Sequence, residues 1–162
     1  MDLDDRNHLV TVLAARTSAS APASEALAHL VRAVCVVSAR HGSGVHAMTV
    51  DSLAAVSTGP PRVVVGVRPD SRWWELACAS GAFAASVLSE QQGDVARWFA
   101  SRRRGADARQ FEGIGWRPGL LTQAPLLDGA AAWLECRVEA VTHLEGQVIV
   151  VGRVTGRGRS DR

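Results

Sequence analysis

Ala132-Trp133-Leu134-Glu135-Cys136-Arg137-Val138-Glu139-Ala140 is the stretch on which the fold turns. Trp133, Glu135, Arg137 and Glu139 interleave with Leu134, Cys136, Val138 and Ala140, the period of two expected of a half-buried strand. Glu145-Gly146 can turn the chain into Val148-Ile149-Val150-Val151, a second long strand, so the two form a hairpin.

Working back from this hairpin, short strands recur. Val34 to Ser38 reads as a strand, His41-Gly42-Ser43-Gly44 as a turn, and Val45 to Ser52 as a second extended run. Pro60-Pro61 forbids helix and precedes Val63 to Val67, a buried strand. Asp70 or Ser71 caps a helix through Trp73, Trp74, Leu76 and Cys78, which Gly81 ends. Phe83 to Leu88 is again a strand. Ser89-Glu90-Gln91-Gln92 has the form of a capping box and opens a helix carrying Val95, Trp98 and Phe99. A Gly/Pro-punctuated connection fills Gly113 to Gly129. Towards the N-terminus Ser24 caps a short helix over Glu25 to Arg32. Residues 1–22 read as a flexible lead-in, 23–154 as one folded domain and 155–162 as a flexible Gly/Arg tail. Turns and single helices link the strands without βαβ alternation. The class expected is therefore mainly β: an antiparallel barrel with peripheral helices.

Composition removes several functions. With 162 residues, 47% hydrophobic and 21% charged, the chain suits a single ordered domain. Eighteen basic against 16 acidic residues give +2, too little for a dedicated nucleic-acid binder. Every basic side chain but histidine is arginine, and there is no lysine or tyrosine, which excludes Schiff-base chemistry on lysine and a tyrosine general acid. No apolar run approaches the roughly 20 residues that span a bilayer, and the start, Met1-Asp2-Leu3-Asp4-Asp5, is acidic where a secretory signal is basic. A soluble, cytoplasmic protein is expected. Cys35, Cys78 and Cys136 form no Cys-x-x-Cys pair and lie in apolar surroundings, as reduced, buried, inert thiols do.

Candidate motifs are few. Gly42-Ser43-Gly44-Val45-His46-Ala47 matches G-x-G-x-x-A, but Met48-Thr49-Val50 continues it as a strand, so a hairpin turn replaces the helix start that a pyrophosphate requires. His41 and His46 have no third ligand near them in sequence for a metal. Arg102-Arg103-Arg104 can attract a nucleotide phosphate or stand as a solvated run at a helix end.

Several blocks, in order, resemble the flavin reductase-like, FMN-binding split-barrel family. They are Val36-Val37-Ser38-Ala39 with His46 to Ser52; Ala55-Val56-Ser57 through Pro60-Pro61-Arg62-Val63-Val64; Asp70-Ser71-Arg72-Trp73; Gly81 to Ser89; Trp116-Arg117-Pro118-Gly119; and Ala124 to Gly129 with Ala132 to Cys136. The likeness runs from about residue 27 to 154. It implies a Greek-key split antiparallel β-barrel that forms a homodimer with flavin near the subunit interface. It also implies an NAD(P)H-dependent reductase of FMN or FAD that supplies a partner monooxygenase, with NADH or NADPH as reductant. The alternative is a flavin-binding split-barrel protein without reductase activity, in an accessory role or transforming another small molecule.

On this resemblance Met48, Thr49, Val50, Asp51 and Ser52 offer amides and hydroxyls to the flavin. Ser71 and Arg72 suit its phosphate, Trp73 and Trp74 can flank it, and Ser57 and Ser86 complete the set. Gln147 stands where the family carries a histidine near the nicotinamide; it can hydrogen-bond a carboxamide but carries no charge. Gln147 and His46 are the candidate catalytic residues. Asp51 replaces a small polar residue, Ser86 an asparagine, and the family's further strand and R-G-x-Y/F ending beyond Val154 are missing.

Overall fold

The computed structural model describes Leu30, residues 32–105 and residues 107–159, and one compact unit begins at Arg32. Its strands are β1 (Cys35–His41), β2 (Gly44–Val50), β3 (Ala54–Thr58), β4 (Pro61–Val67), β5 (Ala82–Val87), β6 (Trp116–Pro118), β7 (Pro125–Leu127), β8 (Ala132–Leu144) and β9 (Gln147–Arg159). Two helices, α1 (Arg72–Ser80) and α2 (Gly93–Ala100), lie between β4 and β6 in the chain. Seven strands pair in the order β2-β1-β5-β8-β9-β4-β3, every pair antiparallel, and β6 and β7 make a separate small hairpin.

Chain length forces this sheet to curl. Laid flat, the two end strands β2 and β3 would stand about 29 Å apart at ~4.8 Å per strand. Yet only Asp51 to Leu53 join them, and that connection reaches about 14 Å at most. The ends must come together, and the sheet closes into a split barrel.

The interior holds Val37, Val65, Trp73, Phe83, Cys136, Val148 and Val150, with α1 laid across it. A second apolar cluster packs Val36, Val45 and Ala47 against Phe99 of α2 and Phe111. β1 is sandwiched between the two, so Cys35 to Ala39 are all buried. This is why its sequence reads as an unbroken apolar run and not as an alternation. α1 starts where Ser71 Oγ accepts from the Trp74 N–H at 3.2 Å and stops at Gly81, which takes φ +66°.

Four sequence expectations are corrected. The Gly113–Gly129 connection contains β6 and β7, held to the main sheet where Ser38 Oγ donates to the Pro125 carbonyl and Ser86 Oγ accepts from the Leu127 N–H. β9 does not end at Val154: it continues to Arg159, paired with Ala132, because the 13-residue β8 offers a ladder along its whole length. Glu135, on the polar side of the alternation, is only 2% exposed. The loop between β6 and β7 folds over it, and Oε1 accepts from the Leu121 and Thr122 N–H groups and the Thr122 hydroxyl at 2.8–3.0 Å. Cys78 lies on the exposed face of α1, whereas Cys35 and Cys136 are buried and desolvation raises their thiols to about 11 and about 12. The helix expected from Glu25 falls outside the described residues apart from Leu30 and Arg32, and β1 begins at Cys35.

Candidate functional site

β2 has a partner on one side only, so half of its backbone N–H and C=O groups face away from the sheet. In an antiparallel ladder these outward groups belong to alternate residues. Around Ala47 they are covered. The Ala47 N–H donates to Gln110 Oε1 at 2.8 Å, and its carbonyl accepts from Arg104 Nε at 3.1 Å. Gln110 Nε2 donates in turn to the Val45 carbonyl at 3.3 Å and the Asp107 carbonyl at 2.6 Å. The Gln110 carbonyl accepts from Trp98 Nε1 at 2.7 Å. A strap from the end of α2 to Phe111 thus seals the strand edge as far as Ala47.

Two residues further on, the alternation turns the N–H and C=O of Thr49 outward too, and no side chain among the described residues covers them. Its hydroxyl is engaged elsewhere, donating to the Ala96 carbonyl of α2 at 2.7 Å. Beyond it Asp51 and Ser52 are exposed. Asp51 pairs with Arg32 at 3.1 Å. Ser52 Oγ donates to the Gly66 carbonyl at 2.9 Å and accepts the Gly66 N–H at 3.2 Å, extending the edge of β4 past the reach of β3. Gly66 leaves a shallow recess: a Cβ there would meet Ile149 Cδ1 at 3.3 Å, Gln147 Oε1 at 3.7 Å and Ser52 Cβ at 3.9 Å. Gln147, the exposed first residue of β9, therefore lies beside Ser52.

His46 is 6% exposed. Its Nε2 sits 3.2 Å from Arg104 Nη2 and its Nδ1 3.5 Å from Gln110 Nε2; because a guanidinium only donates, Nε2 accepts from Arg104. Burial first, then the positive charges of Arg104 and Arg72, lower its pKa to about 4. Arg72 Nη2 lies 3.1 Å from where a Cβ on Gly44 would be, and Arg72 also pairs with Glu75 at 2.5 Å. Gly44 and His46 share one face of β2, so Arg72 and Arg104 stand side by side along it.

The structure thus brings together Met48, Thr49, Asp51, Ser52 and Gln147 at the open end of β2 and its continuation, with His46, Ser71 and Arg72 towards its covered end. Val50 and Trp73 point into the core, where the Trp73 ring meets Phe83 edge-on at 5.4 Å. Trp74 is partly buried and meets the exposed His143 at 6.4 Å. Ser57 Oγ donates to Pro60 within its own β3–β4 hairpin, and Ser86 lies two strands from β2 under β7, so neither joins the group. Sequence reasoning misses Gln110, for which no local signal exists. It picks out Arg104 only as part of a charge run.

Known proteins carry matching features over most of the chain. The flavin reductase like domain matches residues 27–161. An NADPH-flavin oxidoreductase of Streptomyces viridifaciens is 34% identical over 131 residues, 80% of this chain and 68% of that protein. The reductase subunit HsaB of a flavin-dependent monooxygenase from Mycobacterium tuberculosis is 37% identical over 103 residues, 64% of this chain and 52% of that one, so the chain spans only about half of that relative. Among solved structures, BorF, the flavin reductase component of a bacterial two-component tryptophan halogenase, superposes with a TM-score of 0.77 at 36% identity, covering 86% of this chain and 89% of BorF. SgcE6 of Streptomyces globisporus, an NADH:FAD oxidoreductase solved with NAD and FAD fragments, gives 0.77 at 31% identity, covering 85% and 81%. The curled antiparallel sheet, the ordered sequence blocks and these matches converge: the chain belongs to the flavin reductase-like domain family.

Proposed function

We infer that the protein is an NAD(P)H-dependent flavin reductase that supplies reduced FMN or FAD to a partner monooxygenase. The observation that carries this reading is the uncovered half of the β2 edge. The outward N–H of Thr49 is a ready donor, continued by the exposed Asp51 and Ser52 and flanked by a recess at Gly66 and by arginines. The donor set suits the group. An isoalloxazine edge presents acceptor atoms that gain negative charge on reduction, and fixed amides stabilise that charge.

When bound, the flavin would supply the hydride-accepting chemistry and the reduced nicotinamide the hydride. The chain's own residues bind and orient. Thr49 and the Asp51–Ser52 backbone hold the ring edge, and Ser71 and Arg72 at the start of α1 hold a phosphate. Gln147 beside Ser52 offers an amide to the nicotinamide carboxamide. His46, neutral and bonded to Arg104, is a positioning residue that acts through that guanidinium.

A homodimer accords with the exposed apolar side chains of Val56 on β3 and Leu144 at the β8–β9 turn. A cytoplasmic location accords with the absence, among the described residues, of a helix long and apolar enough to cross a membrane. The test is direct. Purified protein mixed with NADH or NADPH and FMN or FAD should bleach the flavin absorbance under anaerobic conditions. No protein-dependent bleaching with any of the four pairs, alongside tight flavin binding, would assign the chain to an accessory flavin-binding role.

A further inference from the structure

Leu120 at 88% and Leu121 at 59% are the most exposed large apolar side chains among the described residues. They stand on the loop between β6 and β7, and that loop is held from every side. From beneath, the buried Glu135 takes the Leu121 and Thr122 N–H groups and the Thr122 hydroxyl on one carboxylate oxygen. The Gly119 N–H donates to the Ala124 carbonyl at 2.9 Å, and the Gln123 N–H to the Gly119 carbonyl at 3.1 Å. A side chain at position 119 is excluded, since a Cβ there would collide with Glu135 Oε1. From outside, Arg40 Nε donates to the Gln123 carbonyl at 2.9 Å. Gln123 itself takes φ +57°, uncommon for a residue with a side chain. Solvent alone gives no reason to present two leucines on so constrained a backbone.

The surroundings of the loop are basic. A hollow of about 150 Å³ lies beside it, lined by Ser80, Ala82, Leu121, Thr122, Arg137 and Thr155. Its three hydroxyls already donate to the Ala82 carbonyl, Glu135 Oε1 and the Glu135 carbonyl, so the Arg137 guanidinium is the donor left over. Neither Arg137 nor Arg40 has an acidic partner among the described residues. Arg117, which leads into the loop and lies over the Trp133 ring at 5.5 Å, reaches Asp128 only at 3.4 Å. Three arginines therefore border an uncharged, apolar loop.

We propose that Leu120 and Leu121 form a docking knob for a partner protein whose contact surface is an apolar pocket edged by carboxylates, one of which enters the hollow beside Leu121 to meet Arg137. Charge selects the occupant. A second copy of this chain would bring Arg40, Arg117 and Arg137 against their like, whereas carboxylates would pair with them. An apolar centre with a charged edge is the ordinary anatomy of an interface. A loop already fixed in shape binds without the ordering cost that a mobile one carries. None of these residues is among those assigned above to flavin or nicotinamide, so docking stands or falls separately from flavin reduction.

Short random peptides displayed on phage would be selected on the full chain, and the enriched sequences synthesised and titrated by fluorescence anisotropy. The titrations would compare the natural protein with Leu120→Ser/Leu121→Ser, with Arg137→Gln and with the remote control Leu144→Ser. All four side chains are exposed, so the fold should persist, as unchanged urea unfolding would verify. The expected peptides combine apolar residues with Asp or Glu and weaken with salt. Their affinity should fall about tenfold or more in the double leucine variant, several-fold in Arg137→Gln and not at all in Leu144→Ser. No enriched peptide, peptides without acidic residues, or equal binding to all variants overturns the proposal. So does co-sedimentation with phosphatidylserine vesicles that only the leucine variant loses, which would make a membrane the occupant. Self-association in sedimentation equilibrium that only the leucine variant loses would make it a second copy, and overturns the proposal equally.

Discussion

The two halves of strand β2 receive opposite treatment. From Val45 to Ala47 the outward backbone groups are met by Gln110 and Arg104; from Thr49 onward nothing among the described residues meets them. An open strand edge invites pairing with other chains, and proteins usually cover, shorten or charge it. Here the cover stops at Ala47, four positions before the bend at Asp51. On the flavin reading proposed above, the covered half serves stability and the open half serves binding. Substitutions on either side should therefore move different observables.

The largest effect is expected at Gln110, which is fully buried. Gln110→Ala leaves the Ala47 N–H and the Val45 carbonyl without partners and opens a cavity, a loss of about 2–4 kcal/mol of unfolding free energy. Urea denaturation measures it. A loss below about 1 kcal/mol would mean that the strap is not what stabilises this edge.

Next is the pH dependence of the same half. His46 has a folded pKa near 4 against an ordinary value of 6.5, so the unfolded chain binds more protons between these values. Its contribution is present above about pH 6.5, declines as pH falls and is lost through about pH 4, an upper limit of about 3 kcal/mol. Thermal melts from pH 7 to 4 should flatten for His46→Gln relative to the natural protein. Glu139, held down to about 2 chiefly by its hydrogen bonds to Arg62 and Arg153, acts only in a more acidic window, from about pH 4.5 downward.

The open half is probed by Thr49→Pro against Thr49→Val. Both lose the hydroxyl bond to Ala96, worth about 1 kcal/mol. Only proline removes the outward N–H, a change that an edge strand tolerates. Flavin affinity should fall at least tenfold in the proline variant relative to valine, as read by fluorescence titration; equal affinities would remove Thr49 N–H from the site. Smallest of all is Asp51→Asn. The Arg32–Asp51 pair is solvent-exposed, so stability should change by less than about 1 kcal/mol.

Much of the fold is legible in the sequence because its signals are local. The long β8 strand, the Glu145-Gly146 turn and the Ser71 and Gly81 caps each follow from a few adjacent residues and stand where expected. The β8 register, however, slips at bulges after Glu135 and Val138, which leave Ala140 exposed. Glu135 and Cys78 are misjudged from sequence because burial depends on what packs above a residue, here a loop over the one and solvent over the other. β6 and β7 escape notice because three-residue strands are too short to display a period. At the candidate site, Met48 to Ser52 can be picked out through the ordered blocks they share with a family. Nothing in the chain's local pattern distinguishes Ser52, which borders the recess at Gly66, from Ser57, which closes only its own hairpin.

Period, caps and turns dictate the strands, the helices and the antiparallel class, since these depend on neighbours within a few positions. The curl of the sheet, the meeting of Gln147 with Ser52 and the sealing of Ala47 by Gln110, 63 positions away, arise only in the folded molecule. Contacts between residues so distant in the chain depend on how strands twist and close, and that geometry belongs to the whole sheet.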